Sequence, residues 1–517
     1  GAVSRTALDY APYEMPEDDP AFDQEAKTTV FSWLNDYVDL ADDKTFNASL
    51  DLTWKINKFL RYNLRSGGNI NMNERKRWYG LELYQGMNNQ GYLAISNLDK
   101  SNYSVENLIM YNTKLGSWGH LDATAGMTYE DYNFLNKNVV GTKFSIMELR
   151  ENGMHMAGSR EYQTPIQKDY QLLSYLGRVN INLFEKYLIT ASIRADGSSK
   201  FAKGHQWGFF PSVSAGWRVS EEPFFKSIDA LKFVNQLKLR ASYGVLGDDG
   251  DLNYDWAMGY TYPATSGNMS NGDYNGYSPG YIFGGKFISA ASPMALPNEN
   301  ITWFKSKTFD VGFDFEAWNG LLGVSFDYFN RLRPGRFARR TGDLPTVVGA
   351  SAPRENLDSD RQFGMELELT HRNKIGQVAY NLKGIATVTR QKYLTASEKG
   401  PWANSYDRWR NDNLTNRYQG VQFGYTSAGR YTSWNDIWSY PGYKERDILP
   451  GDYKYEDWNG DGEINGQDEH PFAFDQTPWL QFSLNAGLQW KNLDFNMLLQ
   501  GSALGSMEYK EPLHEIW

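Results

Sequence analysis

Phe46-Asn47-Ala48-Ser49-Leu50-Asp51-Leu52-Thr53-Trp54-Lys55-Ile56 is the stretch that decides the fold. In an extended chain Phe46, Ala48, Leu50, Leu52, Trp54 and Ile56 share one face, while Asn47, Ser49, Asp51, Thr53 and Lys55 share the other. Such alternation marks a half-buried strand, and its length says what buries it. Globular strands usually run about five or six residues, whereas a tilted strand needs about nine to eleven to cross hydrocarbon. The stretch therefore reads as a membrane-crossing strand, with its apolar face turned to lipid.

About fourteen segments repeat this pattern. They pair as 46–57 with 58–71, 104–116 with 118–132, 171–184 with 187–197, and 207–220 with 236–247. The later pairs are 302–317 with 321–333, 361–372 with 376–391, and 478–491 with 493–503. Within a pair the connection is tight, as at Asn57-Lys58, Glu185-Lys186 and Trp318-Asn319-Gly320. Between pairs it is long, at 73–103, 133–170, 248–301, 334–360 and 392–477. Glu221 to Asn235 is a longer insert on the tight side, and Gly197 to Gln206 a short connection on the other; neither alters the parity. Short periplasmic turns and long external loops are the asymmetry of an outer-membrane barrel. The expected fold is all-β: a transmembrane antiparallel β-barrel, 1–517 forming a single barrel domain.

Composition agrees. The 517 residues contain no apolar run of about 18, which excludes helical spans, and a mean hydropathy of -0.61 suits strands that are half polar. A net charge of -10 without a basic cluster speaks against nucleic acid. Zero cysteines exclude disulfides and thiol catalysis. The 17 Trp and 34 Tyr are what two interfacial girdles and ligand-facing loops consume.

Residues 1–45 do not read as a clean strand, since Pro12, Pro16 and Pro20 stand among Glu14, Glu17, Asp18 and Asp19. Gly505 to Trp517 ends without an alternating segment. Because an open sheet edge has no hydrogen-bond partners in lipid, further strands outside 1–517 are expected to close the barrel.

Two blocks point to a family. The first is Ser174-Tyr175-Leu176-Gly177-Arg178-Val179-Asn180, then Lys186 to Phe201, Phe210-Pro211-Ser212-Val213-Ser214-Ala215-Gly216-Trp217-Arg218, Ser220-Glu221-Glu222-Pro223-Phe224 and Leu237-Lys238-Leu239-Arg240-Ala241-Ser242-Tyr243-Gly244. The second is Pro450-Gly451-Asp452-Tyr453-Lys454-Tyr455 followed by Asp457-Trp458-Asn459-Gly460-Asp461-Gly462-Glu463-Ile464. In order and spacing they resemble the SusC-like branch of TonB-dependent outer-membrane transporters of Bacteroidetes. The resemblance implies uptake of oligosaccharides, less often peptides, with a SusD-like surface lipoprotein as lid. It also implies energy from a TonB complex and a 22-stranded barrel around a plug. Plug, TonB box and N-terminal extension have no counterpart in these residues.

Within the loop 392–477, Asp457, Asn459, Asp461, Glu463, Asn465 and Asp468 fall at positions 1, 3, 5, 7, 9 and 12 of a calcium loop, with Gly462 at the sharp turn. Asp468 stands where an EF-hand has a bidentate Glu, so Ca²⁺ is expected with Mg²⁺ as the alternative; a turn without an ion is the other reading.

Aromatics crowd the same side: Tyr254, Trp256, Tyr260 and Tyr262, then Trp402, Tyr406 and Trp409, then Tyr431, Trp434, Trp438 and Tyr440. Sugar C–H faces stack on such rings, which makes Tyr254, Trp256, Tyr260, Trp402, Trp409, Trp434 and Trp438 candidate substrate contacts. Loop packing and girdle anchoring are the competing uses.

Arg178, Asn180, Asn182, Arg194, Asp196, Arg218, Lys238, Arg240, Asp310, Asp314, Glu366, Glu368, Asn381 and Lys383 are expected to line the lumen. Six scattered His, no phosphate-cradling loop and no nucleophile elbow leave enzyme activity without support. A passive porin and a soluble, calcium-dependent surface adhesin are the alternatives. The first would dispense with a plug-binding wall; the second would hide Leu50, Leu52 and Trp54 against another sheet.

Overall fold

A computed structural model of the chain describes residues 30–507 apart from 164, 262–279, 284–285, 290–291, 294, 341–343, 346–347, 349, 398–399, 401, 403, 412–413 and 443–447. One antiparallel sheet dominates it. Fourteen strands follow one another in chain order: β1 Tyr37–Lys55, β2 Leu60–Tyr79, β3 Tyr92–Leu115, β4 Gly119–Phe144, β5 Ile166–Leu183, β6 Tyr187–Ser198 and β7 Trp207–Arg218. They continue as β8 Val234–Asp248, β9 Phe304–Ala317, β10 Leu322–Arg339, β11 Arg354–Ile375, β12 Val378–Thr395, β13 Leu480–Trp490 and β14 Leu493–Ala503. A short strand, Ala157–Tyr162, pairs onto the upper end of β4. Among the described residues β1 pairs only with β2, and β14 only with β13. No described helix is long and apolar enough to cross a membrane.

The two faces of β1 behave as its alternation demands. Phe46, Leu50, Leu52 and Trp54 are 64%, 52%, 52% and 66% exposed and meet no second sheet among the described residues, contrary to what the soluble alternative requires. The opposite face carries side-chain hydrogen bonds to β2: Asn73 to Asp43 at 2.6 Å, Asn71 to Thr45 at 2.9 Å, Asn69 to Asn47, and Asn63 and Arg65 to Asp51 at 2.6 and 2.9 Å. The same inward face elsewhere pairs Arg194 with Asp196 at 2.6 Å, Arg240 with Asp314 at 3.0 Å and Lys383 with Glu368 at 2.8 Å. Mixed charge in the predicted lumen set is thus used within the wall.

All seven predicted hairpins are present, and their tight turns are built as sterics require. Phe184 and Glu185 adopt φ of 53° and 59°, the positive values of a primed turn that follows strand twist. The strands, however, run further than alternation alone indicates. β1 begins at Tyr37, inside the stretch read as a loop, and 73–103 and 133–170 shrink to connections at 80–91 and 145–165. The reason is local: on the outward face of β1, Asp42 and Lys44 pair at 2.8 Å, so this part stands in water, where a strand needs no greasy side.

Two apolar clusters sit at the loop end. Phe201, Phe210, Val245, Leu252, Ile301 and Trp303 form one, and Trp78, Leu93, Phe144 and Ala157 the other. Phe210 shares the inward face of β7 with Ser212, Ser214 and Arg218, so the first cluster fastens the 249–303 connection onto that face. Gly247 allows it: a Cβ there would lie 1.9 Å from Phe210 Cζ.

Candidate functional site

The connection between β12 and β13 is a small folded unit, where the sequence suggests a long loop. Gln422–Gly424 pairs with His470–Ala473, and Ser427–Arg430 with Tyr453–Tyr455. Two short helices, Ser405–Asn411 and Trp434–Ser439, flank these ladders. Tyr431, Ile464, Asp468 and His470 are buried between them.

The unit is tied to the wall. Beyond Val388, where the ladder to β13 ends, residues 416–419 take over as neighbour of β12: Asn416 N–H donates to Tyr393 O, Tyr393 N–H to Arg417 O and Gln419 N–H to Gln391 O, each at 2.9 Å. The Arg390 guanidinium lies between the rings of Tyr418 and Trp479, 3.4 and 3.7 Å from their centroids. Gln391 and Gln419 also reach Asp360 on β11, at 3.2 and 3.4 Å. Asp360 has no exposed surface and takes Arg333 and Arg336 of β10 as well.

The six predicted cation ligands lie in one compact turn, with their donors turned mostly to the backbone. Asp457 accepts the N–H groups of Gly460, Asp461 and Gly462 at 2.7, 3.1 and 2.8 Å. Asp468 accepts those of Asn459 and Asn465 at 3.3 and 2.8 Å. Asp461 and Asn459 cap Glu463 and Asp461 at 2.8 and 2.9 Å, and Asn459 Nδ2 donates to Asp461 at 3.0 Å. Gly460 and Gly462 hold φ of 72° and 87°, and Ile464 plugs the turn into the core while its N–H bonds Gly442 O. Among the described residues no three His, Asp or Glu side chains converge as a metal cluster. Trp458 stacks flat on His470, 3.8 Å between centroids, and His470 Nε2 lies 2.9 Å from Thr426 Oγ1.

The aromatic candidates separate by environment. Trp409 is built into the unit, edge-on to Phe423 at 5.7 Å with the Arg417 guanidinium 4.6 Å from its ring. Tyr254 and Trp256 pack on each other at 6.3 Å, and Tyr254 Oη meets Ser199 Oγ at 3.1 Å. Trp402 and Trp409 are similarly exposed, 38% and 40%, whereas Trp434 and Trp438 stand further out, at 50% and 79%. Trp434 and Trp438 stand four residues apart on one helix, hence on one side of it. The side chain of Tyr260, and Tyr262 altogether, lie outside the described residues.

Ser433 caps that helix by accepting from Asp436 N–H at 3.2 Å. The Asp436 carboxyl, which accepts Thr432 N–H and the Lys454 ammonium, is held below the usual carboxylate range. Burial pushes the Tyr431 hydroxyl above its ordinary value. At the head of the 249–303 connection, burial works to raise Asp255. The Arg354 guanidinium at 2.5 and 2.8 Å and the Asn253 N–H outweigh it, and the carboxyl ends below its ordinary value.

Sequence reasoning does not single out Asp360, Arg333, Arg336 or Gln419. Pro334-Gly335 is the one local sign, because it marks the bulge where β10 and β11 change register and both arginines come to face Asp360.

Residues 2–503 match the family described as TonB dependent receptor-like, beta-barrel. The TonB-dependent receptor SusC of Bacteroides thetaiotaomicron is 29% identical over 361 residues, 67% of this chain and 32% of its own length. TonB-dependent receptor P39 of Formosa agariphila is 27% identical over 354 residues, 66% of this chain and 29% of its own. Among solved structures, the RagAB peptide transporter superposes with a TM-score of 0.69 at 16% identity, covering 91% of this chain and 49% of that one. The chain therefore spans about a third of the length of those curated relatives. With the sheet, its parity and the inward polar face described above, it belongs to the TonB-dependent receptor β-barrel family, as a SusC-like integral outer-membrane protein.

Proposed function

We propose that this chain is the wall and external-loop portion of an importer that takes up oligosaccharide through the outer membrane, with a SusD-like lipoprotein as partner and a TonB complex supplying energy. The observation that carries the substrate class is the pair Trp434 and Trp438, two exposed indoles on one side of a capped helix in an external unit fixed to the barrel wall. Indole faces stack on sugar C–H groups. Titration of the intact protein with an oligosaccharide series tests it: binding that falls at least tenfold in Trp434→Ala/Trp438→Ala supports the reading, and unchanged binding contradicts it. A peptide is the second reading, favoured by the likeness in fold to the RagAB peptide transporter.

The 457–468 turn is proposed to bind Ca²⁺, with Mg²⁺ as the alternative. Its donors, Asp457, Asn459, Asp461, Glu463, Asn465 and Asp468, are all oxygens suited to a hard cation. The backbone already wraps Asp457 with two left-handed glycines, and the bound ion would fix the turn on which Ile464 and Asp468 are seated.

A further inference from the structure

The turn-side insert between β7 and β8 is folded against the outside of the barrel wall. It comprises a single turn at Val219–Glu221, a helical turn at Pro223–Lys226 and another at Asp229–Leu231. Glu222 fixes its position: 7% exposed, it accepts Tyr187 Oη at 2.6 Å, Trp217 Nε1 at 3.1 Å and Lys186 Nζ at 3.2 Å. Tyr187 alternates with Ile189 and Ile193 on β6, and Trp217 with Val213 and Phe209 on β7, all on the outward face. Ala317, in phase with the outward Phe309 and Val311 of β9, has no exposed surface.

What the insert then shows to its surroundings is apolar. Phe224, Ile228 and Phe233 are 55%, 44% and 37% exposed. Phe233 stacks on Trp318 of the next turn at 4.8 Å, and Phe224 lies 6.5 Å from Trp217. Trp318, Trp118 and Phe184, in three turns on the same side, extend this row. Its charges nearly balance and are internally paired, Lys226 with Glu221 at 2.5 Å and Lys232 with Asp229 at 2.6 Å. An aromatic row continuous with a lipid-facing wall is the arrangement of an interfacial girdle, and paired charges remove any need for anionic headgroups.

We propose that residues 219–233 are a membrane-interface foot, seated in the periplasmic leaflet of the outer membrane. Phe224, Ile228 and Phe233 lie at the boundary of headgroups and acyl chains, Asp229 and Lys232 reach the water, and Glu222 holds the foot to the wall. Phospholipid is the partner, regardless of headgroup charge. This does not depend on what the protein transports.

These 517 residues contain no cysteine, so a cysteine introduced among them is the one label site they carry. The test places bimane at Phe224→Cys and, separately, at Asp229→Cys in the intact protein reconstituted in phosphatidylcholine vesicles. Phosphatidylcholine brominated near the top of the acyl chain is expected to quench the 224 label at least twofold, more strongly than bromines near the chain end, whereas aqueous iodide quenches the 229 label. Ile228→Cys repeats the measurement where a label at 224 disturbs insertion into vesicles. Iodide quenching 224 and 228 as strongly as 229 would place the foot in water and overturn the proposal. Neither quencher reaching 224 or 228 would also overturn it, since a protein contact would then cover the surface.

Discussion

Asp360 and Arg333 form a bidentate pair, Nε at 2.6 Å and Nη2 at 2.8 Å from the two carboxylate oxygens, and the carboxylate is fully buried where β10, β11, β12 and the external unit meet. Arg336 adds a third charged bond at 2.6 Å. Both arginines remain partly exposed, so water softens the loss of either one, but the carboxylate has no such refuge.

Asp360→Ala is therefore expected to lower stability by about 1.5–3 kcal/mol, the range for hydrogen bonds to charged groups. The larger effect is expected locally, because the Gln391 and Gln419 side chains lose the acceptor they share, leaving Gln419 its backbone bond to Gln391. Limited proteolysis is predicted to cut within 400–420 several times faster in the variant, with the strands still protected.

Calorimetry of the intact protein is expected to show Ca²⁺ or Mg²⁺ binding that weakens at least tenfold in Asp461→Ala. No heat from the unaltered protein would remove the ion from the account. Asp461 also caps the turn through Glu463 N–H, so Asp461→Asn, which keeps an acceptor, separates loss of charge from loss of the turn.

Asp255 and Arg354 set a pH dependence. The folded Asp255 carboxyl sits below its ordinary value, so its contribution is complete above the unfolded value of about 3.9. It is lost as pH falls through the lowered folded value. Amide exchange of residues 249–256 is expected to accelerate below about pH 4 relative to strand amides, and Asp255→Asn to abolish that dependence.

Val213 and Ser212 are neighbours on opposite faces of β7. Val213→Arg is expected to destabilise the protein in bilayers by about 2–4 kcal/mol, the range for a charge on the lipid face near the midplane. Ser212→Arg, entering a polar lumen, is expected to cost far less, as read by denaturant unfolding in vesicles.

The hairpins were legible because a wall with lipid on one side and water on the other forces a period of two, and Phe46 to Ile56 obeys it. Tyr37 to Thr45 was not, since Asp42 and Lys44 stand above the bilayer and the constraint lapses there. The cation-loop spacing was readable because its ligands are local in sequence. Asp360 was not, because its partners lie 24 to 59 residues away and one acid on a polar strand face looks like the next. Glu222 likewise reads as half of a surface Glu-Glu pair, and only the fold brings Tyr187 and Trp217 to it.

The orientation of β1 carries all of this, and collision accessibility of single nitroxides at 46 through 56 in reconstituted vesicles measures it. The account predicts that oxygen reaches 46, 48, 50, 52 and 54 preferentially and a water-soluble nickel chelate reaches 47, 49, 51 and 53. Accessibility without a period of two, or low for both reagents at 50, 52 and 54, would contradict it.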